Sequence, residues 1–132
     1  MSQIVATVTS IENCDSLHIV KFDFHDQTLS MMSLELDPNI KINTKVKLTV
    51  KPTNIAIGKN FLGEISYSNQ LICIINDIKN GQLLSSVKLQ NFDTTLESII
   101  TCSSSKNLNL KVGDTVTAYI KANDISIAEV LS

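Results

Sequence analysis

Arginine is absent from these 132 residues: all 11 basic side chains are lysine, set against 13 acidic ones for a formal charge of −2. Without guanidinium groups or a basic excess there is no electrostatic footprint for duplex DNA. Tryptophan is also missing and aromatics make up 5% of the chain, too few for the base-stacking platforms that hold single strands. No apolar run approaches the ~18 residues of a membrane helix. The opening Met1-Ser2-Gln3-Ile4 lacks a basic n-region and an h-region, so a cytoplasmic protein without membrane contact is expected. Only three cysteines occur, Cys14, Cys73 and Cys102, an odd number with no close pair. That excludes a disulfide framework and favours a reducing compartment. Cysteines and histidines form no clustered ligand set for zinc, and the thiols read as small packing residues.

What the chain does have is β-branched side chains: Ile, Val and Thr number 17, 9 and 11. Such a composition favours strands over helices. It is also repeated. Ser2-Gln3-Ile4 resembles Asn69-Gln70-Leu71, and at that offset of 67 Val20-Lys21 pairs with Val87-Lys88 and Thr28-Leu29 with Thr95-Leu96. Farther on the offset is 70, pairing Val46 with Val116, Lys51-Pro52 with Lys121-Ala122 and Ile57 with Ile127. A three-residue insertion before the fourth strand reconciles the two offsets. The chain is thus read as two modules, residues 1–60 and 61–132, the first more degenerate.

Each module carries the same five strand signals. The first has Ile4–Ile11, Leu17–Phe24, Thr28–Leu34, Lys45–Lys51 and Asn54–Ile57. The second has Leu71–Ile78, Leu84–Leu89, Thr95–Thr101, Thr115–Lys121 and Ile125–Val130. In Lys45–Lys51 the apolar Val46, Leu48 and Val50 alternate with polar residues, the period of a half-buried strand. Turn signals every 8–12 residues or so suggest small barrels. The expected fold is all-β: two tandem OB-like five-stranded barrels, each with a short helical turn, the clearest at Ser103–Leu108. One such unit is marginal alone, so the two are expected to pack together, swap strands or assemble with other chains.

Enzymatic chemistry finds little support. Cys102-Ser103-Ser104-Ser105-Lys106 lacks the arginine of a phosphatase loop. Gly58-Lys59-Asn60 fails as a phosphate-binding loop, because Thr53 stands five before Gly58 and Asn60 follows Lys59. The informative segments are polar and almost uncharged: Ser66-Tyr67-Ser68-Asn69, Thr101-Cys102-Ser103-Ser104-Ser105 and Lys121-Ala122-Asn123-Asp124. They offer hydroxyls, approachable backbone N–H groups and one ammonium, a set suited to an anion that only accepts hydrogen bonds. From composition alone, turn-building and capping are the favoured explanation of the same residue types.

These segments, in this order, resemble the molbindin or Mop family, also called the TOBE domain. The family's opening Ser-Ala-Arg-Asn-Gln-Leu is similar to Ser66-Tyr67-Ser68-Asn69-Gln70-Leu71, with Ser68 at the arginine position. Ile99-Ile100-Thr101 with Ser104, Leu108 and Leu110 resembles its strand end and helical turn. Gly113-Asp114-Thr115-Val116 and Ile120-Lys121-Ala122-Asn123-Asp124-Ile125 resemble its last two motifs. In the first module Lys51-Pro52-Thr53 stands in the Lys-Ala-Ser turn, while Leu34-Glu35 replaces the threonine-bearing strand end.

The resemblance implies a binder of molybdate or tungstate, for storage, buffering or homeostasis, with the oxyanion as ligand and no cofactor, metal-cation ligands or catalytic residues. It implies oxyanion contacts from Ser66, Tyr67, Ser68, Asn69, Thr101, Ser104, Lys121, Ala122 and Asn123, and from Lys51, Pro52 and Thr53. Sites between modules and between chains are implied as well, the opening motif of one module meeting the lysine turn of another, hence a homodimer or homotrimer. The alternatives are a ligand-sensing domain of a molybdate-responsive regulator or transporter, and a structural or interaction domain with decayed anion sites.

Overall fold

The computed structural model describes residues 2–132. All ten expected strands are present: β1 Ser2–Cys14, β2 Leu17–Phe24, β3 Gln27–Ser33, β4 Lys45–Val50, β5 Ala56–Gly58, β6 Asn69–Asn80, β7 Leu84–Asn91, β8 Thr94–Thr101, β9 Thr115–Ile120 and β10 Ile125–Val130. Short 3-10 turns precede the two fifth strands, at Pro52–Asn54 and Ala122–Asp124. One α-helix, α1, spans Cys102–Asn107.

Alternation explains the strands. Ser2, Ile4, Ala6 and Val8 of β1 are buried while Gln3, Val5 and Thr7 point outward or lie half-exposed, the period of two that a half-buried strand imposes. Both long strands then break register at the same place, between Val8 and Ser10 in β1 and between Ile75 and Asp77 in β6. A bulge raises the local twist, and here it curls each sheet so that one strand borders both of its neighbours. The tight β2–β3 turn uses His25 and Asp26 at φ 50° and 61°, the left-handed conformation a two-residue hairpin needs.

The sheets do not follow the sequence repeat. One has the order β10-β4-β1-β2-β3 and the other β5-β9-β6-β7-β8, all neighbours antiparallel. Each half therefore completes its sheet with the fifth strand of the other. Of the three expected ways of burying a marginal module, packing and strand exchange both occur within this chain.

The halves share one hydrophobic core, in which Ile4, Val8, Phe22, Leu29 and Leu48 join Leu71, Ile75, Leu89, Leu96 and Ile120. Polar interlocks sit at equivalent places across it. The Asn69 amide donates to the Ser30 carbonyl at 2.9 Å and accepts from the Ser30 N–H at 2.7 Å. At the matching position of the first half, Ser2 Oγ accepts from the Glu97 N–H at 2.9 Å. The paired hairpin turns also meet: the His25 ring stacks on Phe92 with centroids 5.0 Å apart, and its Nε2 lies 2.9 Å from Asp93 Oδ1.

The helical turn expected between the third and fourth strands of each module forms as a helix in the second alone. There Thr101 caps α1, its Oγ1 accepting from the Ser104 N–H at 3.1 Å. In the first half the corresponding residues run as turns held by Asp37, which accepts from the N–H groups of Asn39 and Ile40. Pro38 and the three missing residues leave no room for a helical repeat there.

Candidate functional site

Pairing of Asn69 with Ile120 in β6 and β9 makes Ser68 the neighbour of Lys121, so the opening segment and the lysine turn of the second half lie side by side. They are neighbours within one half, whereas the resemblance implied a meeting of different modules. Ser66, Ser68 and Lys121 are exposed, and Ala122 is half-buried. Among the described residues the ion pairs are His25–Asp93, Lys47–Glu129 and Lys59–Asp114, so the Lys121 and Lys51 ammoniums are unpaired. Lys121 is a strand-end cation aimed at solvent beside a row of hydroxyls.

Two residues of this segment are engaged elsewhere. The Asn69 side chain is fully buried and spent on the backbone of Ser30. Tyr67 sets its ring edge-on to Tyr119, centroids 6.0 Å apart, and its carbonyl accepts from Gln70 Nε2. Phe61 approaches the same Tyr119 ring, which lies over Gly58; a Cβ at Gly58 would come within 2.5 Å of it. Tyr67 and Asn69 thus fix the backbone of the segment, while Ser66 and Ser68 stay exposed between and beside them.

Thr101 and Ser104 form a second set. Thr101 Oγ1 donates to Ser104 Oγ at 2.9 Å while accepting from the Ser104 N–H. The threonine hydroxyl proton is thereby used, and the Ser104 hydroxyl proton stays free on an exposed surface. This pair is not beside Lys121. Thr101 is opposite Leu84, whose neighbour Ser85 is opposite Asn80, so Thr101 lies at the end of β6 remote from Asn69. The chain alone keeps the two donor sets apart.

Lys51, Pro52 and Thr53 sit at the first lysine turn, which packs against β8 of the other half, where Ser98 Oγ donates to the Ile55 carbonyl at 2.5 Å. Lys51 and Asn54 face Asn123 and Asp124 across a cavity of about 250 Å³. It exists because β10 pairs with β4, bringing Ile125 opposite Val50. A second cavity, of about 690 Å³, lies between β3 and β10 and shares only Asn123 with the candidate residues.

Among the described residues two titratable groups, Asp114 and Cys73, are shifted. Asp114 is held below the ordinary carboxylate range, first by the hydrogen bond from Lys59 and then by the Lys111 N–H. Lys59 also donates to the Asn109 carbonyl, so it ties the segment after β5 to the turn before β9. Burial pushes the Cys73 thiol up to about 11. Such a thiol is a packing group, without thiolate character at neutral pH. No cluster of His, Cys, Asp or Glu able to hold a metal cation occurs among the described residues. No helix among them is long and apolar enough to cross a membrane.

Comparison with known proteins bears on this geometry. The TOBE domain matches residues 65–127, which contain both second-half donor sets. Among solved structures, the cytoplasmic molybdate-binding protein ModG, with molybdate bound, superposes with a TM-score of 0.84 at 20% identity over 95% of this chain and 93% of its own. A molybdate-binding protein from Sporomusa ovata is 33% identical over 46% of this chain and 90% of its own, with a TM-score of 0.45. No curated protein sequence matches significantly. The tandem, ten-stranded OB-like architecture is shared with ModG. Over residues 65–127 this chain carries a TOBE domain.

Proposed function

We propose that this protein binds molybdate or tungstate and serves as an intracellular store or buffer for the oxyanion. The observation that carries the reading is that the TOBE match, residues 65–127, contains Ser66, Ser68, Thr101, Ser104 and Lys121 together. The shared architecture of ModG, described as cytoplasmic and molybdate-binding, supports the ligand class and a cytoplasmic location. The protein is a binder rather than an enzyme, and the anion is its cargo, not a cofactor.

The chemistry is compatible. Molybdate at neutral pH is a dianion that accepts hydrogen bonds and donates none, which suits exposed O–H and N–H donors and an unpaired ammonium. Hydrogen bonds to charged groups contribute about 1.5–3 kcal/mol each, so several donors with Lys121 suffice without a guanidinium. The two donor sets lie at opposite ends of β6, so a complete site joins Lys121 with Ser66 and Ser68 of one chain to Ser104 of another. A homodimer or homotrimer built from the modules 1–60 and 61–132 provides that arrangement.

Calorimetric titration with molybdate, tungstate and sulfate tests this. Heat with the first two and little with sulfate is expected; silence with both heavy oxyanions refutes the reading. Lys121→Ala is expected to weaken binding by about 1.5–3 kcal/mol, or roughly 10- to 150-fold. An unchanged affinity would remove Lys121 from the site.

A further inference from the structure

The offset of 67 places Leu34 and Asp37 where the second half has Thr101 and Ser104, and Glu35 where it has Cys102. Geometry at this first-half strand end is the reverse of its counterpart. The Ser33 hydroxyl donates to the Glu35 carbonyl at 2.5 Å and accepts from the Glu35 N–H, so no free O–H proton remains. Leu34, 69% exposed, offers no donor at all. This half has no counterpart of α1, and a cavity of about 690 Å³ lies between β3 and β10, lined by Glu35, Asp37 and Glu129 and by no lysine. The cation nearest these acids is Lys47, 3.9 Å from Glu129. Every charged group lining the cavity is an acceptor carrying the same sign as an oxyanion.

We infer that the first-half strand end is closed to oxyanions, with Glu35 and Asp37 as the excluding residues, so that the chain takes up one oxyanion where its tandem build suggests two. The inference rests on the reading of the second half as an oxyanion binder and concerns which half supplies the hydroxyl set.

The test is molybdenum uptake per chain, measured by elemental analysis after desalting and by calorimetric stoichiometry on the full, assembled protein. One equivalent is expected. Ser104→Ala, which leaves the threonine cap of α1 in place, is expected to weaken it about tenfold or more, as loss of one charge-assisted bond does. Glu35→Gln with Asp37→Asn is expected to leave that equivalent undiminished. Two equivalents in the unmodified chain overturn the inference and leave the oxyanion reading standing. So does one equivalent that survives Ser104→Ala and weakens with the Glu35 and Asp37 changes. No uptake at all overturns the oxyanion reading itself, and this inference falls with it.

Discussion

Asn69 separates a residue that holds the fold from one that holds a ligand, and Asn69→Ala is the perturbation that measures it. The change deletes two hydrogen bonds, to the Ser30 carbonyl at 2.9 Å and from the Ser30 N–H at 2.7 Å. Each contributes about 0.5–1.5 kcal/mol net. Ser30 is only half-buried, so water recovers part of what its backbone loses, and the expected loss is about 1–3 kcal/mol. For a chain of this size that corresponds to a fall in Tm of ~3–15 °C. Urea and thermal denaturation followed by circular dichroism measure it directly. Asn69→Asp is the sharper control. It keeps an acceptor for the Ser30 N–H but turns an oxygen toward the Ser30 carbonyl, inside the protein. At neutral pH it should be worse than alanine, and acid should relieve it as the carboxyl gains a proton and can donate. A loss below about 0.5 kcal/mol for Asn69→Ala would refute the interlock, because surface substitutions lie in that range.

Other expectations concern different parts of the molecule. Ile125→Ala in the exchanged strand removes a side chain 2% exposed and should cost about 2–5 kcal/mol, in a single transition spanning both halves; two separable transitions would show that the halves fold independently. Asp114 has a lowered pKa when folded, so it binds fewer protons than in the unfolded chain. The stability it supplies is complete above the ordinary carboxylate pKa and is lost as acid protonates the folded group, so Asp114→Asn should flatten the acid limb of the stability profile. A limb of unchanged steepness would speak against the Lys59 tie. Native thiol counting should find Cys14 reactive and Cys73 and Cys102 protected, since only Cys14 is exposed; rapid loss of all three thiols would contradict the core packing.

The strands were legible because alternation is local. Val46, Leu48 and Val50 announce the buried face of β4 without any knowledge of its partner. The helical turn expected at Ser103–Leu108 forms as α1, Cys102–Asn107. The exchange of fifth strands was open to sequence reading only as one choice among three, and the repeat itself is the reason. Ile55–Ile57 and Ile125–Ile127 carry the same apolar pattern, so either strand satisfies either sheet. Asn69 shows the opposite difficulty. A polar residue at a strand start reads as a solvent-facing donor, and only the crossing of β3 makes it a buried bridge. The division of the donor residues between the two ends of β6 was also hidden, since motif order carries no information about which end of a sheet a residue occupies.

Strand exchange also sets a timetable for synthesis. Val50 of β4 awaits its partner Ile125, which leaves the ribosome 75 residues later. At about 5–20 residues per second, the first half carries an open β-edge for ~4–15 s, long enough for that edge to find a neighbouring nascent chain. Lys45, Lys47 and Lys51 lie along or beside β4, and like charges repel a second copy of the same strand. Apart from any part Lys51 has in binding an anion, the charge of these lysines discourages edge-to-edge pairing while the strand waits for the far end of its own chain.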